Sequence, residues 1–152
     1  MARRFHELRV TSFVQATESR EKVLTSISNL LGEDPSPWMV ITTAEGMHHN
    51  PIHILNALIP KERDIDRILG RWVKLDFWSL ALETIEGRMD EEQVYHIRLD
   101  KQELCTGEEV LWSSGEAVEA RLKVATFPSS REKAVQIIRE LSDHLQGAPD
   151  LG

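Results

Sequence analysis

WMVITTAEGMHHNPIHILNALI, residues 38–59, sets two apolar runs on either side of a short polar segment. WMVITTA (38–44) and IHILNALI (52–59) are rich in β-branched residues. EGMHHNP (45–51) between them carries the Gly, Asn and Pro that a tight connection uses. Pro51 pushes Asn50 out of the helical region, and Gly46 can supply a positive φ. The segment predicts one antiparallel hairpin over residues 39–59, with its tip within residues 46–51.

Outward from the hairpin, FHELRVTSFVQA (5–16) and AVEARLKVATF (117–127) read as strands. Each is followed by a segment with helical spacing, SREKVLTSISNLL (19–31) and SREKAVQIIREL (130–141). In the first, Val23, Ile27, Leu30 and Leu31 share one face; in the second, Ala134, Val135, Ile138 and Leu141 do. The chain thus opens and closes with the same strand-then-helix unit. An internal duplication and a shared charged first turn both account for the repeated SREK. Ser129-x-x-Glu132 is a capping-box pattern and starts the last helix there.

The stretch KERDIDRILGRWVKLDFWSLALETIEG (61–87) is helical, with a break expected near Gly70 and Lys74–Leu75–Asp76. Asp76 is the expected N-cap of the second piece, and Gly87 the residue just past its end. VYHIRLD (94–100) alternates, sending Tyr95, Ile97 and Leu99 to one face and His96, Arg98 and Asp100 to the other. KQELCTGEE (101–109) reads as a polar turn and VLW (110–112) as a short strand. The order β-α-β-β-α-α-β-β-β-α predicts an α+β fold, a two-layer sandwich of a mostly antiparallel sheet with helices on one face. One domain is expected over residues 1–146, with a flexible tail at 147–152.

The 152 residues suffice for one core, and 41% apolar against 28% charged content predicts a folded chain. The single cysteine, Cys105, allows no intrachain disulfide, which fits a reducing cytosol. MARRFHELRV is basic without an apolar run behind it, so no signal peptide is read. The richest apolar stretch, WVKLDFWSLAL (72–82), is interrupted by Lys74 and Asp76, so no membrane partner is expected. A net charge of −7 argues against indiscriminate polyanion binding but not against a local basic surface.

His48, His49 and His53 raise the question of a metal. Zinc needs three or four converging ligands, whereas adjacent residues in a strand leave on opposite faces. No HxH, HExxH or CxxC spacing occurs, so the expectation is a solvated loop, no metal and no cofactor. A metal-dependent enzyme centred on these histidines stands as the alternative. Asp90, Glu91 and Glu92 read as a solvated turn, and no phosphate-binding glycine motif is present.

The cations fall into two sets. Arg63, Arg67, Arg71 and Lys74 form a helical stripe interleaved with Asp64 and Asp66, as a salt-bridged solvated face would. On the sheet, Arg9, Thr11, His96, Arg98, Glu119, Arg121 and Lys123 point away from the core. Tyr95 points the other way, so this face is expected to lack an aromatic platform and to favour backbone and 2′-hydroxyl contacts over base stacking. Trp72, Phe77 and Trp78 cluster near the helix break. They are either core or a homodimer patch, the latter making an oligomeric scaffold conceivable.

Four stretches carry a family resemblance: ATESREKVL (16–24), EGMHHNPI (45–52), IRLDKQ (97–102) and LKVATFPSSREKA (122–134), in that order. Together they resemble the archaeal RNA-binding proteins described as predicted exosome-associated subunits. That family is similar in fold to the large-subunit ribosomal protein that binds five-S RNA. Its hairpin usually reads G-H-H-G-N-P-I; here Gly46 precedes Met47, and no Gly separates His49 from Asn50. The resemblance implies polar contacts at His48, His49, Asn50, Asp100, Lys101 and Gln102. With the strand cations, the expected RNA-binding set is His48, His49, Asn50, Arg98, Lys101, Gln102 and Lys123. The implied protein is a non-enzymatic, cytoplasmic RNA-binding accessory subunit whose partners are RNA and the exosome or other RNA-processing proteins.

Overall fold

A computed structural model of the chain describes residues 4–15, 17–45 and 51–146. The tip residues His48, His49 and Asn50 and the tail expected at 147–152 lie outside the described residues.

The strands are β1 (Phe5–Val14), β2 (Met39–Glu45), β3 (Pro51–Ile59), β4 (Val94–Asp100) and β5 (Ala117–Val124). They form one antiparallel sheet in the order β2-β3-β1-β5-β4. The arms of the antiparallel hairpin expected over residues 39–59 pair from Met39↔Ala57 to Glu45↔Pro51. β1 is central, with Leu8 opposite both Ile59 and Leu122. Alternation sends Leu8, Val10, Val14, Tyr95, Ile97, Leu99, Val118, Ala120, Leu122 and Val124 into the core.

The helices are α1 (Arg20–Leu31), α2 (Glu62–Trp72), α3 (Asp76–Glu83), α4 (Ile85–Arg88), α5 (Lys101–Cys105) and α6 (Arg131–Gln146). They cover the core face and leave the other face of the sheet open. This is the α+β sandwich expected from the sequence. Trp72, Phe77 and Trp78 are at most 1% exposed, so they are core and not the homodimer patch kept as an alternative. Their rings meet edge-on, Trp72 with Phe77 and Trp78 with Tyr95, each at 5.7 Å between centroids. Such pairs add about 1 kcal/mol each beyond burial. The indole N–H groups donate to Leu30 O (2.7 Å) and Ser142 Oγ (2.8 Å), which makes their burial affordable.

Several boundaries differ from expectation. Gly70 is helical within α2, while the break falls at Val73–Leu75, overlapping the Lys74–Leu75–Asp76 interruption expected from the sequence. Leu75 is the N-cap of α3 and Asp76 its first residue. Gly87 lies inside α4, which buried Ile85 holds against the core. Ser130, not Ser129, accepts from the Lys133 amide at the start of α6. Residues 101–105 are helical and not a turn: Asp100 Oδ1 accepts from the Glu103 amide at 3.0 Å, and Leu104 is buried. Residues 110–112 do not extend into a strand; a Leu99↔Leu111 bridge stands there instead.

Candidate functional site

The open face of β1, β5 and β4 holds a cleft of about 460 Å³, lined among others by Thr11, Phe13, Arg98, Trp112, Glu119 and Arg121. Alternation explains the strand members. Arg9, Thr11 and Phe13 leave β1 on the side opposite Leu8, Val10 and Val14, and Glu119 and Arg121 do the same on β5. Cross-strand register then sets Arg9 beside Arg121, Arg121 beside His96, and Glu119 beside Arg98.

Glu119 is the hub of this face. Its carboxylate lies 3.4 Å from Arg98 Nε, 3.7 Å from Arg121 Nε and 3.4 Å from His96 Nδ1. None of these is as short as a tight charge-assisted hydrogen bond. Arg121 Nε is buried and has no hydrogen-bond partner. His96 Nε2 reaches Asp90 Oδ2 at 2.8 Å. Burial acts to raise the pKa of Asp90, but the His96 bond and the amides of Val94 and Glu92 outweigh it and hold the carboxyl below its ordinary range.

Two aromatic rings border these charges. Phe13 is 49% exposed and Trp112 38%. The Arg98 guanidinium lies over the Trp112 ring, 5.6 Å from its centroid. Trp112 is fixed by its amide donating to Arg98 O (2.9 Å) and by Nε1 donating to Gly115 O (2.8 Å). The expectation that this face lacks exposed aromatics is therefore corrected. Extending the Arg9, Thr11 alternation by two residues reaches Phe13. Trp112 had no such signal, because residues 110–112 follow no regular strand.

Of the residues expected to contact RNA, the described ones, Arg98, Lys101, Gln102 and Lys123, do not share one site. Arg98 borders the cleft. Lys123 is on the same face but opposite Val94, about 13 Å along the strand from Glu119 at ~3.3 Å per residue. Its Nζ donates to Glu92 O at 2.6 Å. Gln102 is exposed on α5. Lys101 is not a free cation. It is 3% exposed, and Nζ contacts Glu18 Oε2 (2.8 Å), Glu116 Oε2 (2.5 Å) and Phe13 O (3.1 Å). It ties the end of β1 to the segments entering α1 and β5, a structural use that competes with meeting a phosphate.

The helical cations are mostly engaged. Arg67 pairs with Glu33 and Asp64. Arg71 pairs with Glu109 and donates to Leu30 O at 2.9 Å, closing the end of α1. Gly32 follows α1 at φ 76°, and a Cβ there would come within 2.8 Å of the Arg71 side chain. Among the described residues no group of three or more His, Cys, Asp or Glu side chains converges as a metal site. His53 instead faces Thr43 Oγ1 at 3.2 Å. No helix of the described residues is long and apolar enough to cross a membrane.

Residues 7–124 match a protein family described as RNA binding. The chain is 34% identical over 145 residues to an RNA-binding protein of Pyrococcus abyssi, covering 89% of this chain and 92% of that one. Among solved structures, a DUF54 protein of Archaeoglobus fulgidus is 34% identical, with a TM-score of 0.77 and coverage of 90% and 99% of the two chains. A DUF54 protein of Methanothermobacter thermautotrophicus is 28% identical, with a TM-score of 0.76 and coverage of 91% and 98%.

Proposed function

The chain belongs to the family described as RNA binding, and on that premise we propose that it is a non-enzymatic RNA-binding accessory protein that meets RNA with its open sheet face. The observation that carries this reading is the Arg98 guanidinium over Trp112, with Phe13 and Arg121 lining the same cleft. Arginines and exposed rings on an uncovered sheet suit nucleic acid, because phosphates need fixed cations and bases need flat apolar surfaces. Lys123 adds a cation farther along the face. His48, His49 and Asn50, which fall in sequence between β2 and β3, and Gln102 on α5 add donors and acceptors for 2′-hydroxyls. Residues 1–146 act on this reading as one RNA-binding unit, and Lys101 supports it from within.

The acidic total, −7, makes the binding weak at physiological salt and strongly salt-dependent. The four family-like stretches extend the reading to an accessory role beside the exosome. Ultraviolet crosslinking to bound RNA, followed by peptide mapping, tests the face. Crosslinks on peptides containing Phe13 or Trp112 are expected; crosslinks confined to α2, around Arg63, would overturn it. Cosedimentation with purified archaeal exosome tests the accessory role, and failure to associate at low salt would remove it.

A further inference from the structure

We propose that the cleft is a subsite for one unpaired nucleotide, with the base against Phe13 and the exposed part of Trp112 that Arg98 does not cover, and the phosphate replacing the Glu119 carboxylate between Arg98 and Arg121. This rests on the reading of the open face as the RNA surface and names the kind of RNA it selects.

Three side chains able to carry positive charge converge on one carboxylate. Glu119 spans Arg98, Arg121 and His96 at 3.4–3.7 Å and satisfies none of them closely. Arg121 Nε keeps a buried donor with no hydrogen-bond partner, a position that a closer anion would stabilise. The Arg98 guanidinium lies over Trp112, whose ring is itself anchored by two backbone hydrogen bonds. A phosphodiester carries the same single negative charge as Glu119, so it can take over the carboxylate's contacts as the Glu119 side chain swings out to solvent. Glu119 then acts as an internal competitor that lowers affinity for any incoming anion, the phosphodiester included.

The rings decide between paired and unpaired RNA. Phe13 and Trp112 stand at the border of the cleft with 49% and 38% of their surface exposed. In a duplex both faces of a base are covered by its neighbours, so it cannot lie on a protein ring. An unpaired base can. Duplex RNA can still meet the arginines through its phosphates, but it leaves the rings unused.

The test is fluorescence anisotropy with a labelled single-stranded RNA of about ten nucleotides and with the blunt duplex of the same sequence. The single strand is expected to bind about tenfold more tightly, and Trp112→Ala to lose about tenfold on the single strand and little on the duplex. Trp112→Phe, which keeps a ring, is expected to retain most of the affinity and guards against a folding defect in the alanine variant. Glu119→Gln is expected to strengthen single-strand binding by about threefold, as removal of a competing surface charge would. Equal affinity for the two RNAs, or Glu119→Gln unchanged or weaker, would overturn the subsite. If Arg98→Ala still weakens both RNAs in that case, the open face survives as the RNA surface; if it does not, that reading falls too.

Discussion

Replacing Lys101 by methionine separates a structural lysine from an RNA-binding one. The Lys101 side chain is 4% exposed, and its ammonium contacts Glu18, Glu116 and the Phe13 carbonyl. Removing one partner of a fully buried ion pair costs about 3–5 kcal/mol. The side chains of Glu18 and Glu116 are 21% and 41% exposed, so both can recover hydration, and the expected cost falls to about 2 kcal/mol. For a chain of this length that lowers Tm by roughly 4–8 °C. The pH dependence has a definite sign. Burial raises the pKa of Glu18, but the Lys101 bond and the Gln15 amide outweigh it and depress the value in the folded state. A depressed carboxylate stabilises the fold above its unfolded pKa, and that contribution is lost as pH falls through the folded pKa. Thermal melts of Lys101→Met should therefore differ most from wild type near neutral pH, with the gap closing below about pH 4. RNA affinity and its salt slope should be unchanged. A wild-type Tm combined with a shallower salt slope would refute the reasoning and return Lys101 to the RNA surface.

Ser142→Ala should cost about 2 kcal/mol in denaturant unfolding, because the buried Trp78 N–H loses its acceptor; a cost near zero would mean the indole finds another partner. Ser130→Ala should lower stability by about 1 kcal/mol while Ser129→Ala does little, and the reverse order would restore the earlier cap position. In an NMR titration the Asp90 carboxyl should titrate below its ordinary range, and His96→Ala should move it upward; no movement would show that the Val94 and Glu92 amides suffice.

Much of this fold is legible in alternation. From Leu8 on β1, and along β4 and β5, every second residue points inward, so Thr11, Arg98, Glu119, Arg121 and Lys123 are placed on the open face from sequence, and the first four of these line the cleft. The hairpin arms were equally legible, because residues 38–59 switch from apolar to Gly/Asn/Pro and back. Boundaries were less so. Gly70 and Gly87 look like breaks, yet buried neighbours such as Leu69 and Ile85 outweigh the intrinsic cost of a helical glycine. Lys101 resembled a surface cation because its two carboxylate partners, Glu18 and Glu116, are distant in sequence. Trp112 was hidden for a similar reason: its position is set by backbone bonds to Arg98 and Gly115, which no local period encodes.

On the proposed reading, RNA meets the open sheet face through Arg98 and Arg121. The salt dependence of single-stranded RNA binding, measured for wild type and for the Arg98→Ala/Arg121→Ala double variant with its fold checked by circular dichroism, tests it most directly. Losing the one phosphate held between Arg98 and Arg121 should reduce the slope of log K against log salt by about 0.7 on a single strand. A folded double variant with the wild-type affinity and slope would contradict the account.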